Sequence, residues 1–470
     1  MAMADTTPTP TPTTTPTPLV IVVGLGLAGL TTAIECHRRG INVLVLEKVT
    51  ELKHDANPPA GDGIFMPPNA ARVISRWDTQ VQTEIAANKN DSTHADFFDD
   101  ADAFIVRNEV PGKGRGFLTN RGKLVLILYA YALRLGIQIR LGTRVAEYWE
   151  DEASQHAGVL LDTGERVSGD CVICADGVHG KARAYVTGST TTRGAETNLG
   201  FATFRAHLRT DTPSFIADPE AQWIVRDSET QDRTYMWFGA GVNLSMMTLK
   251  HGREIVWMTT HRDTYAATET EAWAGGPASH AHLADVFDCI SHWPGRARIE
   301  SIVRHTDPAK LVNHPLVYRA PLKTWRSGGG RVMLIGDAAH PYYPVVGQGG
   351  AQGVEDGAVV AVALARAGRD VRLALEVAER IRYPRASVIQ LGSREFQASV
   401  LEPDWEAVRR DPGMFRLPNP EWIFEHDCVA FAEAEYEAVV ECAREGVQYV
   451  PKNIPDDGVY RVEDTYGGER

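Results

Sequence analysis

The sequence lacks several features that would assign it at once to a broad functional class. It has no apolar run as long as a membrane span, and the longest candidate, residues 358–365, predicts a buried helix instead. Basic residues are fewer than acidic ones, 48 against 61, and the net charge of −13 argues against nonspecific binding to nucleic acid or to an anionic membrane. We therefore expect a soluble protein with no nucleic-acid partner and no membrane span.

Cysteine is also scarce, with six in 470 residues. Cys171 and Cys174 form a C-x-x-C, but they lie in the apolar run CVIC without a second such pair, so we interpret them as buried thiols and predict no metal site. This usage is typical of a reducing compartment. Residues 1–18, MAMADTTPTPTPTTTPTP, lack the basic start and apolar centre of a signal peptide and predict a disordered tail. The expected location is cytoplasmic.

What the sequence does have is one complete unit, residues 19–48, with the pattern of strand, glycine turn, helix and strand. Gly24, Gly26 and Gly29 form G-x-G-x-x-G, in which the first glycine permits a tight turn, the second lets the backbone approach a pyrophosphate and the third lets helix and sheet pack closely. The helix N-terminus offers N–H groups to the phosphates. Glu47, 18 residues after Gly29, is placed to accept hydrogen bonds from an adenosine ribose. The unit predicts dinucleotide binding, with FAD and NAD(P) equally open on this motif alone.

A second glycine-rich segment decides between the two cofactors. The buried strand VMLI ends at Gly336-Asp337, and Pro344, Gly347, Gly349 and Gly350 follow before a helix that we predict from about Val354. An aspartate at this place is suited to bind a ribityl hydroxyl, and backbone N–H groups at a helix start stabilise an anionic flavin edge. Together with the first motif, this segment indicates FAD.

The middle of the chain changes period. From about residue 198 to 257 several stretches alternate as strands do, among them EAQWIVRD at 220–227, and residues 317–322 predict a further strand. The fold class is therefore α/β (α+β overall), with a Rossmann-like domain interrupted by an antiparallel sheet. The predicted parts are a disordered tail at 1–18, an FAD-binding domain at 19–190 and 310–400, a substrate domain at 191–309, and a helical C-terminal extension at 401–470.

Three segments in this order, GLGLAGL with Glu47, CADGVHGKAR and GDAAHPYYPVVGQGGAQGVEDG, resemble the FAD-dependent aromatic monooxygenases of the salicylate hydroxylase and para-hydroxybenzoate hydroxylase type. The similarity is stronger to the fungal biosynthetic branch that oxidises phenolic polyketides or indole alkaloids. It spans about residues 19–400 and says little about the substrate. It implies bound FAD, NAD(P)H and O2 as co-substrates, and transfer of oxygen from a flavin C4a-hydroperoxide to an electron-rich ring.

The resemblance also implies roles for matched positions. The pyrophosphate would lie on the first glycine turn, the adenosine ribose on Glu47, and the ribityl chain on Asp337, while Asp176 matches a motif used for both FAD and NAD(P)H. The implied cofactor residues are Gly24, Gly26, Ala28, Gly29, Glu47, Lys48, Ala60, Gly61, Arg121, Asp176, Asp337, Pro344, Gly347, Gly349 and Gly350. His179 and Gly180 depart from the usual residues after the Asp-Gly motif.

Two residues are candidates for the catalytic side. In FATFRAHL, alternation places Arg205 on one face of a strand with Thr203, and an arginine among apolar neighbours needs a partner. Several fungal relatives carry an arginine at the matching place over the flavin, so the resemblance implies that Arg205 holds a phenolate or acts as an acid. The alternative for Arg205 is a surface arginine of the sheet. Tyr235, in RTYMWF on a neighbouring strand, is the second candidate, with a buried core tyrosine as its alternative.

The expected function is therefore an FAD- and NAD(P)H-dependent monooxygenase acting on a phenolic or indole secondary metabolite, as a monomer or homodimer. Two alternatives stay open on the sequence. One is a flavin reductase or halogenase on the same scaffold, although the W-x-W-x-I-P motif of tryptophan-type halogenases is not present. The other is a non-catalytic flavin-fold binding protein, against which the intact GQGGAQ segment argues.

Overall fold

A computed structural model describes residues 17–52, 63–112, 114–188, 197–265, 281–401, 403–417 and 419–461. Two of the implied cofactor residues, Ala60 and Gly61, lie outside the described residues. No helix in the described ranges has the length and apolar character needed to cross a membrane.

The strands group into four sheets. In chain order they are β1 (Leu19–Val23), β2 (Asn42–Leu46), β3 (Gly63–Met66), β4 (Lys89–Asn90), β5 (His94–Asp99), β6 (Phe104–Glu109), β7 (Phe117–Asn120), β8 (Gln138–Arg140), β9 (Val145–Asp151), β10 (His156–Leu161), β11 (Arg166–Gly169), β12 (Cys171–Cys174), β13 (Thr197–Arg209), β14 (Thr234–Gly239), β15 (Val242–Leu249), β16 (Glu254–Arg262), β17 (Val312–Tyr318) and β18 (Val332–Leu334).

The helices lie mostly at the start and end of the chain. They are α1 (Leu27–Arg38), α2 (Pro68–Ser75), α3 (Thr79–Ala86), α4 (Arg121–Arg134), α5 (Ala182–Thr187), α6 (Pro213–Ile216), α7 (Gln222–Asp227), α8 (Leu283–Cys289), α9 (Ala297–Val303), α10 (Gly349–Ala367), α11 (Val371–Leu401), α12 (Trp405–Arg410), α13 (Glu421–Phe424) and α14 (Cys428–Glu445).

The first large sheet is parallel, with its strands in the order β18-β12-β1-β2-β8. Its strands are continuous apolar runs, as expected for a sheet covered on both faces; β1 and β12 pair along their length and bury Cys171 and Cys174 as free thiols. The order places the strand ends that precede Gly24, Ala175 and Ile335 side by side. Both aspartate motifs and the glycine turn therefore meet at one edge of the sheet. Ligands bind at such carboxyl ends in α/β sheets.

The second large sheet has seven strands in the order β17-β13-β16-β15-β14-β5-β6. It takes β5, β6 and β17 from outside residues 191–309, and β14 pairs with β5 in parallel, so the sheet is not wholly antiparallel. The predicted strand at 220–227 was wrong: Gln222–Asp227 is the helix α7, because Ala221 and Ile224, three residues apart, pack into the core behind the sheet. The strand expected at 317–322 lies earlier, at Val312–Tyr318.

The C-terminal helices close the molecule. α10 begins at the glycine segment and packs against α1, α11 and α14, and all of its residues from Ala351 to Leu364 are buried. α10 begins at Gly349, five residues before the predicted start. Within the predicted helical extension at 401–470, the structure has the helices α12, α13 and α14. Phe415, which lies between α11 and α13, packs against Phe97 of β5 and Phe238 of β14 in the seven-stranded sheet.

Candidate active site

Two adjoining cavities share the seven-stranded sheet as a wall. The first lies between this sheet and the loops that follow the parallel strands, and the second lies between this sheet, the second glycine segment and the C-terminal part of the chain. The first, of about 280 Å³, is lined by the glycine turns and by Arg121, Arg205, His314 and Asp337, and we call it the glycine-rich cavity. The second, of about 360 Å³, is lined mainly by Met, Phe and Val side chains and is called the apolar cavity. Both are lined by Gly63, Ile64, Met258, Pro344, Gly349 and Gly350. A ligand that extends along the first cavity therefore meets the second at its end.

The first glycine turn has the shape required to receive a pyrophosphate. Gly24 has φ of +100°, and a Cβ on it would lie 2.4 Å from the Ala175 carbonyl oxygen; a Cβ on Gly29 would lie 2.0 Å from the carbonyl oxygen of Gly24. A Cβ on Gly26, by contrast, would meet nothing within 4 Å. α1 begins after Gly26 with no side-chain cap and no acidic residue in its first turn, so its N–H groups face open space beside Ala28. These features fit a bound phosphate.

Glu47 lies beside the glycine turn and supports it. Its Oε2 accepts a hydrogen bond from the Leu25 N–H at 2.7 Å, and its Oε1 accepts one from the Val49 N–H at 2.9 Å. The carboxylate thus connects the loop after β1 to the loop after β2. Each carboxylate oxygen has a further lone pair, which is available to accept a hydrogen bond from a ribose hydroxyl. Binding of the ribose by Glu47 stays a prediction.

Asp176 is held in its loop by its neighbours. Its Oδ2 accepts hydrogen bonds from the Tyr148 hydroxyl at 3.0 Å and the Ala182 N–H at 3.1 Å, whereas its Oδ1 is buried and has no partner in the described part of the chain. Burial raises the pKa of Asp176, and the two hydrogen bonds and the charge of Lys48 oppose that shift. The neighbouring residues Ala175 and Gly177 line the glycine-rich cavity. Asp176 therefore shapes the cavity wall, and its unpaired oxygen leaves one acceptor for a ligand.

The second glycine segment forms the far end of the same cavity. Asp337 is exposed at the cavity edge, in the middle of the short 3-10 turn Gly336–Ala338. α10 starts at Gly349 with no side-chain cap and no acidic residue in its first turn, so it presents N–H groups at the junction of the two cavities. Gly347 has φ of +61° and lines the apolar cavity. The Asp337 carboxylate fits the hydroxyls of a ribityl chain, and the uncapped N-terminus of α10 fits a flavin ring at the end of that chain.

A buried ionic network fixes the start of α10. Arg382 donates from Nε to Asp356 at 2.8 Å and forms an ion pair with Glu355, and all three side chains are 1% exposed or less. His340 Nε2 lies 2.6 Å from Asp356, and Asn69 donates to both Glu355 and Gln348. Burial disfavours the ionised form of Glu355, but the charges of Arg385 and Arg382 outweigh it and hold its pKa well below the usual range. The helix that presents N–H groups to the cavities is thereby held in one position.

Arg205, on β13, lies on the wall of the glycine-rich cavity. It is 8% exposed and pairs across β13 and β16 with Met258, which lines both cavities. His314 lies on the same wall, and burial together with the charges of Arg205, His179 and Arg121 lowers its pKa to about 3. The wall is thus positively charged through its arginines while His314 is neutral, which suits an anionic ligand.

Tyr235 is not brought to this site. The register aligns Arg205 with Met258, Ser245 and Met236 on the cavity face, whereas Tyr235 aligns with Met246 and Trp257 in the adjacent row. Because side chains alternate between the two faces of a sheet, Tyr235 points into the core on the opposite side. Its hydroxyl donates to Asp227 Oδ2 at 3.2 Å. The structure corrects the expectation that it shares the site with Arg205: its place is that of a core tyrosine.

The structure also adds residues that the sequence did not indicate. They line the cavities and comprise Thr203, Met258 and His314 on the sheet, Tyr342 after β18, and Phe396, Gln397, Phe415 and Phe424 from α11 and the segment beyond it. His314 was missed because the expected strand began at 317, beyond its position. The C-terminal residues carry no local signal, since only the long-range fold brings them to the cavity.

Comparison with known proteins agrees with this geometry. Residues 17–391 match the family described as FAD binding domain. The chain is 50% identical over 424 residues to the FAD-dependent monooxygenase fmqB of Aspergillus fumigatus, covering 87% of this chain and 99% of that one. It is 37% identical over 438 residues to the asperlicin C monooxygenase of Petromyces alliaceus, covering 92% and 91%.

Solved structures give the same result. Crystalline FqzB has a TM-score of 0.84 at 52% identity, with 94% of this chain and 98% of that chain covered. CtdE in complex with FAD and its substrate has a TM-score of 0.82 at 32% identity, with 91% and 100% covered. A salicylate hydroxylase substrate complex shares the fold, at a TM-score of 0.69, 20% identity and coverage of 92% and 99%. The predicted fold class and cofactor are confirmed, and the chain belongs to the FAD-binding monooxygenases, in the branch of fungal enzymes of secondary metabolism.

Proposed function

We propose that this enzyme uses NAD(P)H and O2 to insert one oxygen atom into an electron-rich aromatic substrate, phenolic or indole, bound in the apolar cavity. The observation that carries the proposal is the junction of the two cavities, where the N-terminus of α10 and the strand neighbours Arg205 and Met258 meet. The net reaction consumes one O2, one NAD(P)H and one proton for each oxygenated product, with NAD(P)+ and one water released.

FAD, when bound, supplies the reaction with hydride acceptance and activation of O2. Gly26, Arg121 and Asp337 would hold its phosphate and ribityl portion, and Gly349 and Gly350 would lie against its ring. The lining of the apolar cavity excludes bulk water from the oxygen-transfer step. Arg205 supplies a fixed positive charge to stabilise phenolate or alkoxide character as the substrate reacts.

The substrate class follows from the cavity and from the relatives. The lining side chains are mostly Met, Phe and Val, which favours a ring system over a sugar or an amino acid. One relative is named for asperlicin C. A panel of phenols and indoles that includes asperlicin C is therefore the suitable screen.

The reaction is tested with the FAD-loaded full-length protein. We expect a yellow protein whose NADPH oxidation is stimulated by substrate, and a product that carries one oxygen atom from 18O2. A protein that purifies colourless and takes up no added FAD, or a product without 18O, would overturn the proposal.

The role of Arg205 is tested by Arg205→Ala. We expect FAD to stay bound and product formation to fall by roughly 10²- to 10³-fold, the range for loss of a charge-stabilising donor. Arg209→Ala is the matched control: Arg209 lies on the same strand and is 63% exposed, paired with Asp211. The control is expected to retain turnover, and unchanged turnover in Arg205→Ala would mean that the arginine is structural.

A further inference from the structure

The apolar cavity has one wall that the seven-stranded sheet does not supply. Phe396 and Gln397, near the end of α11, line it together with Phe415, Leu417 and Phe424 from the segment that follows. Across from them the sheet contributes Met236, Phe238 and Met258 among other residues. Substrate in this cavity is therefore enclosed between the sheet and the C-terminal part of the chain.

Polar groups in this cavity are few and mostly uncharged. The sheet contributes Thr234, Asn243, Ser245 and Thr260. The described lining has one charged side chain, Arg416, which is exposed and donates from Nε to the Gly413 carbonyl. Gln397 is the polar group on the opposite wall. It is 4% exposed, so it lies deep in the cavity wall and not at its rim.

The amide nitrogen of Gln397, Nε2, is buried and has no hydrogen-bond partner among the described residues. A buried donor without a partner is unfavourable, and such groups in native proteins are normally satisfied by a ligand or by water. Gln390, seven residues earlier on α11, differs at this atom: its Nε2 donates to the carbonyl oxygens of Arg319 at 2.9 Å and Pro341 at 3.0 Å, while its Oε1 is buried without a partner among the described residues. Gln390 does not line the apolar cavity.

We propose that Gln397 is a specificity-determining residue whose amide N–H donates to a carbonyl oxygen of the substrate, so that the enzyme selects aromatic substrates bearing an amide or lactam group. The inference rests on the proposed function, because it takes the apolar cavity as the substrate site. Selection by such a group is strong, since a substrate without the acceptor leaves the buried donor unpaired. The apolar remainder of the lining then holds the ring system without directional contacts.

The test compares two probes on FAD-loaded full-length protein, with binding followed by the change in the visible flavin spectrum. The probes are N-acetyltryptamine, which carries an amide, and 3-pentylindole, in which methylene groups and hydrogens replace the amide. In Gln397→Met we expect the Kd of N-acetyltryptamine to rise about tenfold, which is about 1.4 kcal/mol, while the Kd of 3-pentylindole is unchanged or falls. Gln397→Leu is expected to act in the same direction.

Thermal stability separates this role from a structural one. Gln397→Met is expected to leave the melting temperature unchanged or raise it, because it removes an unpaired buried amide. Gln390→Met is the matched control: it should lower the melting temperature, because two carbonyls lose their donor, and leave the ratio of the two probe affinities as in the wild type.

Three results would overturn the assignment. If both Kd values change by the same factor in Gln397→Met, so that their ratio stays as in the wild type, Gln397 does not determine selectivity. The proposed function is then unaffected. A fall in melting temperature like that of Gln390→Met, with the ratio unchanged, makes Gln397 structural. If FAD-loaded wild type binds neither probe, the substrate role of the apolar cavity fails together with the inference.

Discussion

Arg385 links the flavin-side helix to the C-terminal wall of the apolar cavity, and its replacement by methionine is expected to open that wall. The side chain is 0% exposed and contacts Glu355 from Nε at 3.0 Å and from Nη2 at 3.2 Å. It also donates to the carbonyl oxygens of Trp422 at 3.0 Å, Asn453 at 3.1 Å and Ile423 at 2.9 Å. One guanidinium thus holds α10 and two parts of the C-terminal segment together.

The magnitude follows from these contacts. Breaking a buried ion pair by removing one partner costs roughly 3–5 kcal/mol, because the remaining charge is left buried. Glu355 keeps its ion pair with Arg382 and its hydrogen bond from Asn69, which limits the loss at that carboxylate. Three carbonyl oxygens lose their donor in addition. We therefore expect Arg385→Met to lower the free energy of unfolding by about 4 kcal/mol, inside the same range.

The assay has a thermodynamic and a functional part. Urea unfolding of the FAD-loaded protein, followed by tryptophan fluorescence, measures the stability change, and limited proteolysis with mass analysis locates new cleavage within residues 403–461. With substrate present, NADPH oxidation should continue while product per NADPH falls, because the cavity wall no longer excludes water. Arg410→Met is the control, since Arg410 is 74% exposed and pairs with Glu406, an arrangement worth about 0.3–0.5 kcal/mol. A loss below about 1 kcal/mol in Arg385→Met, without new cleavage, would refute the reasoning.

Two further predictions concern the seven-stranded sheet. Tyr235→Phe should leave FAD content and product formation unchanged and lower stability by no more than about 1 kcal/mol, because one hydrogen bond to Asp227 is lost; a large loss of turnover would return Tyr235 to the site. His314 has a pKa of about 3 in the folded protein against the usual 6.5. Between these two pH values the unfolded chain binds a proton that the folded chain does not, so the free energy of unfolding falls as the pH falls. In FAD-free protein the drop in melting temperature from pH 7 to pH 5 should therefore be smaller for His314→Gln than for wild type; identical drops would contradict the low pKa.

Local chemistry explains why the sequence alone determined the cofactor end of the site. A glycine at the position of Gly24 is required by its φ of +100° and by the nearby Ala175 carbonyl, and these constraints leave a recognisable spacing in the sequence. In the second segment, Asp337 and Gly347 likewise form part of a pattern that can be recognised in the sequence. The resemblance to FAD-dependent monooxygenases depends on such motifs, and the family match over residues 17–391 confirmed it.

The tertiary structure alone decided which side chains meet the substrate. Alternation predicted two faces for β13 and β14, but both faces of the sheet are covered, one by a core that includes Phe204 and Trp237 and the other by the cavities. Only the pairing register shows that Arg205 and Tyr235 lie on opposite faces. Gln397 and Phe415 reach the cavity through contacts far apart in the sequence. Local patterns encode backbone conformation, whereas the environment of a side chain depends on what packs against it after folding, and that information is spread over the whole chain.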